Sequence, residues 1–392
     1  MRFQSYLAAA ATLAVAACSD TTPTAVTTST PAPALSRGAS NPTGDVYVMT
    51  NAAEDNEVIA FHRAPNGSLQ TPKRFSTGGR GSGRPRVGSQ GSVHLSDDGE
   101  RLFVANIGSN DIAVFGVTSS GLRLLSRTAS GGALPFSLAL RGNLLYVMNE
   151  GSRGTASPAN ITAFTVSAAG VLAPIAGSTR PLITAYPAPA QVSFTPDGAS
   201  LVVTEKDTDI IDTYALDANG VASGPTVHRS NGVTPFGFDF TTTGTLIVTE
   251  AFGGVAGAAA ASSYSLAGSF RTLSGSVKDT QAEVCWAVIT RDDRHAFITN
   301  FQNGTISSYT INSDGTIRLL QAIAGRTAYG FGPRDQDLSA GGEYLYVLDI
   351  GLTSPETQGV HAFRVGEDGS LTSIGQSRLP GFFPAVAGLA SR

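Results

Sequence analysis

Seven short apolar runs, each ending on a small polar or acidic residue, recur along the chain. In order they are Val48-Met49-Thr50-Asn51, Val104-Ala105-Asn106, Val147-Met148-Asn149, Val203-Thr204-Glu205, Val248-Thr249-Glu250, Ile298-Thr299-Asn300 and Val347-Leu348-Asp349. They are spaced by about 43 to 56 residues, the period of a four-stranded propeller blade. An alternating strand ending on an aromatic ring repeats in step, at Phe61, Phe115, Phe164, Tyr214, Tyr264, Tyr309 and Phe363. A glycine turn follows each ring, at Gly67, Gly121, Gly170, Gly220, Gly268, Gly315 and Gly369. Glycine supplies the positive φ that a tight hairpin requires.

A further short strand precedes each polar-ended run, often closed by a turn such as Ser96-Asp97-Asp98-Gly99 or Thr195-Pro196-Asp197-Gly198. Each unit therefore predicts four antiparallel strands. One such sheet cannot bury both faces, so the pattern predicts an all-β, seven-bladed β-propeller stacked around a central channel. The first unit starts at its second strand, Val46 to Asn51, and the chain ends on an orphan first strand, Pro384 to Ala390. The C-terminal strand is expected to complete blade one and close the ring, leaving no open edge between first and last blades.

The N-terminal stretch has a different character. Arg2 precedes an apolar run from Tyr6 to Ala17, too short to span a bilayer as a helix, and Val15-Ala16-Ala17-Cys18 fits a lipoprotein cleavage box. Residues 1–18 are read as a lipoprotein signal peptide with Cys18 as the acylated residue. Residues 19–43, rich in Thr, Ser and Pro, are read as a disordered tether, and 44–392 as the propeller. The expected location is the bacterial cell envelope, by a lipid anchor to a membrane. Ser19 after Cys18 favours the outer membrane in a Gram-negative host.

Charged residues make up 14% of the chain and the net charge is -4, with no basic run. Nucleic acid is not an expected partner. The five histidines have no metal-ligand spacing, and no Walker loop, zinc motif or Gly-x-Ser-x-Gly elbow appears, so no metal or cofactor is expected. Once Cys18 is lipidated, Cys285 has no disulfide partner and reads as a buried thiol beside Trp286. The ring is expected to be a monomer.

Chemistry is expected where first strands begin, at the channel mouth. Arg334 leads the candidates, because a planar guanidinium matches a carboxylate or a lactone carbonyl; a salt bridge to Asp335 or Asp337 is its structural alternative. Glu205, Lys206 and Glu250 end second strands in neighbouring blades and could approach one another; the two carboxylates are candidate bases for water attack, or alternatively caps on loop amides. Candidate ligand-binding residues are His94, Gln191, Asp239, Trp286, Asp335 and Asp337. Asn51, Asn106, Asn149 and Asn300 recur too regularly for catalysis and read as turn-stabilising residues.

These segments resemble the bacterial seven-bladed propellers of the lactonase type, which include 6-phosphogluconolactonase and the fungal carboxymuconate-cyclising enzymes. The resemblance runs from Gly44 to Arg392. It is carried by Arg101 to Asn106 before Asn110 to Phe115, by Gln191 to Gly198, and by Pro333-Arg334-Asp335. It implies a hydrolase or cycloisomerase acting on a small lactone or carboxylate at the channel mouth, with Arg334 and Glu250 matching family positions. Where catalytic members carry His or Arg-His at the starts of first strands, this chain has Ser92, Ala190 and Phe236-Gly237. A non-catalytic envelope propeller that binds a ligand or protein partner is the alternative.

Overall fold

The structure, a computed structural model, describes residues 43–392. The expected signal peptide, Cys18 and nearly all of the tether lie outside the described residues.

Seven antiparallel sheets follow one another. In the first, β1 (Gly44–Met49), β2 (Glu57–Arg63) and β3 (Lys73–Ser76) pair in sequence. The second comprises β4 (Val93–Leu95), β5 (Arg101–Asn106), β6 (Asp111–Thr118) and β7 (Gly121–Ala129). The third comprises β8 (Pro135–Arg141), β9 (Leu144–Asn149) and β10 (Asn160–Val166), with two short outer segments, β11 (Leu172–Pro174) and β12 (Arg180–Pro181). Pro174 and Pro181 lack the amide that a continuous outer strand would use, which confines them to an edge.

The fourth sheet contains β13 (Pro189–Phe194), β14 (Ser200–Glu205), β15 (Ile210–Leu216) and β16 (Ala222–Arg229). The fifth contains β17 (Pro235–Phe240), β18 (Thr245–Glu250), β19 (Ala260–Ser265) and β20 (Arg271–Lys278). The sixth contains β21 (Val284–Ile289), β22 (His295–Asn300), β23 (Thr305–Ile311) and β24 (Ile317–Arg326). The seventh contains β25 (Pro333–Leu338), β26 (Tyr344–Asp349), β27 (Gly359–Val365) and β28 (Leu371–Arg378).

The C-terminal strand β29 (Ala387–Ser391) pairs with β1 and supplies the missing first strand of blade one. Arg392 fastens the joint, with its guanidinium on Asp45 at 2.6 Å and its amide on the Asp45 carbonyl at 3.0 Å. Every one of the seven expected turn glycines has a positive φ. The seven ring residues that end third strands are buried between blades, each contributing on the order of 1.5–3 kcal/mol of hydrophobic stabilisation.

The regular polar strand ends also have a structural use. Asn51, Asn106, Asn149, Glu205, Glu250, Asn300 and Asp349 are all fully buried. Asn106 accepts from Asn56 at 2.9 Å and Thr77 at 2.7 Å, Asn149 donates to Asn160 at 2.9 Å, and Asn300 donates to Ser307 at 2.8 Å. They clamp the links that enter the inner strands, and Gly79, Gly132, Gly232 and Gly332 lie so close to Asn106, Asn149, Glu250 and Asp349 that a Cβ there would collide.

Candidate functional site

Inner strands begin, and second strands end, on one face of the ring: Pro135 pairs with Asn149, Pro189 with Glu205, Pro235 with Glu250, Val284 with Asn300 and Pro333 with Asp349. In each of these five pairs the register slips just inside the first residue of the inner strand. Such bulges re-aim side chains. Here they fall at Phe136, Ala190, Phe236-Gly237, Cys285-Trp286 and Arg334-Asp335.

The link from β3 to β4, residues 77–92, is the longest between blades and crosses this mouth. The Gly88 carbonyl accepts from Lys206 at 2.8 Å and the Ser89 carbonyl from the Trp286 indole at 3.0 Å. The Gln90 amide donates to Ala190 O at 3.1 Å, its side chain donates to Ala287 O at 2.9 Å, and the Leu138 amide donates to Gly91 O at 2.9 Å. Gly237 approaches Gln90 so closely that a Cβ would collide, and the Gly91 amide meets Asp335. A four-residue segment held by the inner strands of blades three to seven lies on the ring axis. It closes the channel at the mouth.

Around this crossing stands a cluster of cations and rings. The Arg334 guanidinium lies 4.2 Å from the Phe301 ring centre and 5.2 Å from Trp286. Arg334 is 5% exposed, its Nε has no partner, and the alternative of a salt bridge to Asp335 or Asp337 does not form, since both carboxylates accept from amides of β29. Burial pulls it down to about 10. Trp286 packs on Phe236 with ring centres 5.3 Å apart, and Lys206 Nζ lies 4.9 Å from the Phe236 centre. Lys206 is half-buried, with burial pulling its ammonium down to about 8. Arg86, paired with Glu283 at 2.9 Å, covers Phe301 from 4.8 Å, and Arg84 pairs with Glu150 at 2.6 Å. A solvent-open cleft of ≈ 340 Å³ flanks the cluster, lined in part by Arg84, Glu150, Arg153, Tyr186 and Asp207.

Of the residues singled out in the sequence, Arg334 and Trp286 meet at the mouth. Glu205 and Glu250 sit at its rim with their carboxylates committed to hydrogen bonds that hold the fold, Glu205 to loop groups and Glu250 to its own blade and the loop before β17. Glu250 accepts from Ser262 at 2.6 Å, Ser276 at 2.7 Å and the Gly232 amide at 2.8 Å. Glu205 accepts from Thr208 at 2.6 Å and the Ile183 amide at 3.2 Å, with Asp212 beside it; burial raises its pKa.

Gln191, Asp239, Asp335 and Asp337 form a belt between inner strands. Gln191 exchanges two bonds with Phe238 backbone at 2.8 and 2.9 Å, Asp239 accepts from the Ile289 amide at 2.8 Å, Asp335 from Leu389 at 3.1 Å and Asp337 from Ser391 at 2.8 Å. Each side chain satisfies a strand edge that has no strand beside it. Burial raises Asp335 to about 7 and Asp239 and Asp337 to about 6.

His94 lies half-buried on β4, and burial lowers its pKa. Cys285 is buried and burial pushes its thiol up, which removes it as a nucleophile at neutral pH. Arg86 and Phe301 were not singled out from sequence, and Lys206 was read only as a charged second-strand end beside Glu205 and Glu250. The available signal was their place: Lys206 and Phe301 directly follow the buried strand-end residues Glu205 and Asn300, where alternation turns a side chain the other way.

Fold and site define a closed propeller with a cationic, aromatic mouth. A family described as lactonase, 7-bladed beta-propeller, matches residues 41–180. Solved structures of the same fold include a protein from Lactobacillus plantarum (17% identity, 90% of this chain and 100% of that one, TM-score 0.70). Others are a putative 6-phosphogluconolactonase from Bacteroides fragilis (17%, 91% and 100%, 0.63) and a periplasmic gluconolactonase from Pseudomonas aeruginosa (16%, 89% and 99%, 0.67). No curated protein matches the sequence. Over residues 41–180 the chain is similar to the lactonase-type seven-bladed propellers, and the solved structures share its fold.

Proposed function

We propose that the protein is a lactonase-like hydrolase or cycloisomerase that takes a small lactone or carboxylate at the channel mouth. The observation that carries this reading is Arg334, a buried guanidinium held by ring faces alone, with its Nε unpartnered. A buried cation in that state calls for an oxygen ligand, because leaving it unpaired costs stability. The Phe301, Trp286 and Phe236 rings are themselves buried and fix the guanidinium in place, and the guanidinium would polarise the lactone carbonyl or hold the carboxylate. A panel of γ- and δ-lactones assayed by acid release tests this. Turnover that is lost in Arg334→Ala supports it; no turnover above background, or turnover undiminished in that variant, overturns it.

Non-catalytic binding in the envelope is the second reading, favoured by the commitment of Glu205 and Glu250 to hydrogen bonds that hold the fold. Ligand binding without turnover across the panel would select it.

The chain is further proposed to be exported and lipid-anchored at Cys18, in line with its cleavage-box sequence. The Pseudomonas neighbour is described as periplasmic. Cys18→Ser is expected to abolish acylation and release the protein from the membrane fraction; a still-acylated variant would refute the anchor.

A further inference from the structure

The mouth contains a second cation without an ionic partner, and its hydrogen bonding differs from that of Arg334. Lys206 Nζ donates to two backbone carbonyls, Gly88 O at 2.8 Å and Pro189 O at 2.7 Å. A neutral amine has two N–H donors and one lone pair; an ammonium has three donors. The two carbonyls therefore satisfy the neutral amine completely and leave its lone pair uncommitted. Both acceptors are fixed, one on the axial crossing and one at the start of β13, so the nitrogen is held in place.

The aromatic floor connects this nitrogen to Arg334. Lys206 lies over Phe236, Phe236 packs on Trp286, and Trp286 carries Arg334. Phe236 and Trp286 are themselves buried, so they hold the guanidinium and the amine apart rather than offering a face to the ligand, which would meet the two nitrogens across the mouth. The charged or titratable groups that act on Lys206 are Glu150, Cys285, Asp207 and Arg334, from four different parts of the ring. Glu150 is already paired with Arg84.

We infer that Lys206 is the group that exchanges a proton with the bound ligand, acting as general base for lactone opening from the far side of the aromatic floor. This rests on the lactonase-like reading of the same site. The neutral amine takes one proton from water as the water oxygen bonds to the lactone carbonyl carbon, whose oxygen faces Arg334. The tetrahedral intermediate collapses with cleavage of the ring C–O bond. The Lys206 ammonium returns its proton to the leaving alkoxide, and the new carboxylic acid loses its proton to solvent. Lactone and water become a hydroxy acid, and the amine is regenerated. Burial, which pulls Lys206 down to about 8, gives it a neutral fraction of about one tenth at pH 7 that rises to about one half at pH 8.

The test is calorimetric titration with gluconate, an open hydroxy acid, at pH 8 in buffers of differing ionisation enthalpy. An anion bound beside Lys206 favours its protonated form, so binding is expected to take up roughly half a proton per site. Lys206→Met is expected to remove that uptake and weaken binding about tenfold. In parallel, kcat/KM on any lactone turned over is expected to rise with a limb near pH 8 that Lys206→Met abolishes. Binding without proton uptake in the unmodified protein, or uptake that persists in Lys206→Met, overturns the role of Lys206 and leaves the lactonase-like reading standing. Failure of gluconate and of every lactone to bind overturns both.

Discussion

The Arg334 guanidinium stands 4.2 Å from the centre of the Phe301 ring, in a site that shields it from water and leaves its Nε unpartnered. A cation held this way is a cost to the fold that a bound anion would offset. Arg334→Met is expected to raise the unfolding free energy by about 1 kcal/mol or more while removing carboxylate binding. Thermal unfolding and ligand titration on the same sample check this. Lowered stability in the variant would show that ring stacking is the residue's main role.

Glu250 has the opposite economy, since its carboxylate accepts from Ser262, Ser276 and the Gly232 amide while fully buried. Glu250→Ala strands those donors and is expected to cost about 2–4 kcal/mol. Urea denaturation measures the loss. Turnover lost at unchanged stability would return Glu250 to the chemistry.

Several buried aspartates make the ring sensitive to rising pH. Burial, and then the neighbouring Glu205, hold Asp212 up at about 8; burial holds Asp335 at about 7 and Asp239, Asp279 and Asp337 at about 6. Folded pKa values above the unfolded ones mean that the folded state binds more protons in this window. Stability is therefore expected to fall from about pH 4 to about pH 8, by several kcal/mol in all. Lys206, pulled down, acts in the opposite sense and only above about pH 8. Denaturation midpoints at pH 5, 6.5 and 8 test the trend, and Asp212→Asn should flatten its upper end.

Ring closure depends on blade seven gripping β29. Asp337 accepts from the Ser391 amide and Asp335 from Leu389. Asp337→Ala leaves the Ser391 amide without that acceptor and is expected to cost about 1–3 kcal/mol. Faster hydrogen exchange at Leu389 to Ser391 than in the other inner strands would locate the loss; unchanged exchange there would argue against this grip.

The seven blades, their hairpin glycines and the C-terminal closure were legible from periodicity, because strand alternation and turn φ are local properties that each repeat states again. The asparagine strand ends, Asn51, Asn106, Asn149 and Asn300, were legible as builders of the ring for the same reason, whereas the acidic ends Glu205 and Glu250 read as candidate bases. Arg334 and Trp286 stood out because they break the repeat. Tertiary structure alone decided the rest. Only the folded ring brings residues 88–91 onto the axis and sets Lys206 on Phe236, far in sequence from Arg334. The bulges that re-aim Arg334 and Trp286 are register slips against the neighbouring strand, which sequence alternation does not encode. Local pattern built the ring, and convergence around its axis built the mouth.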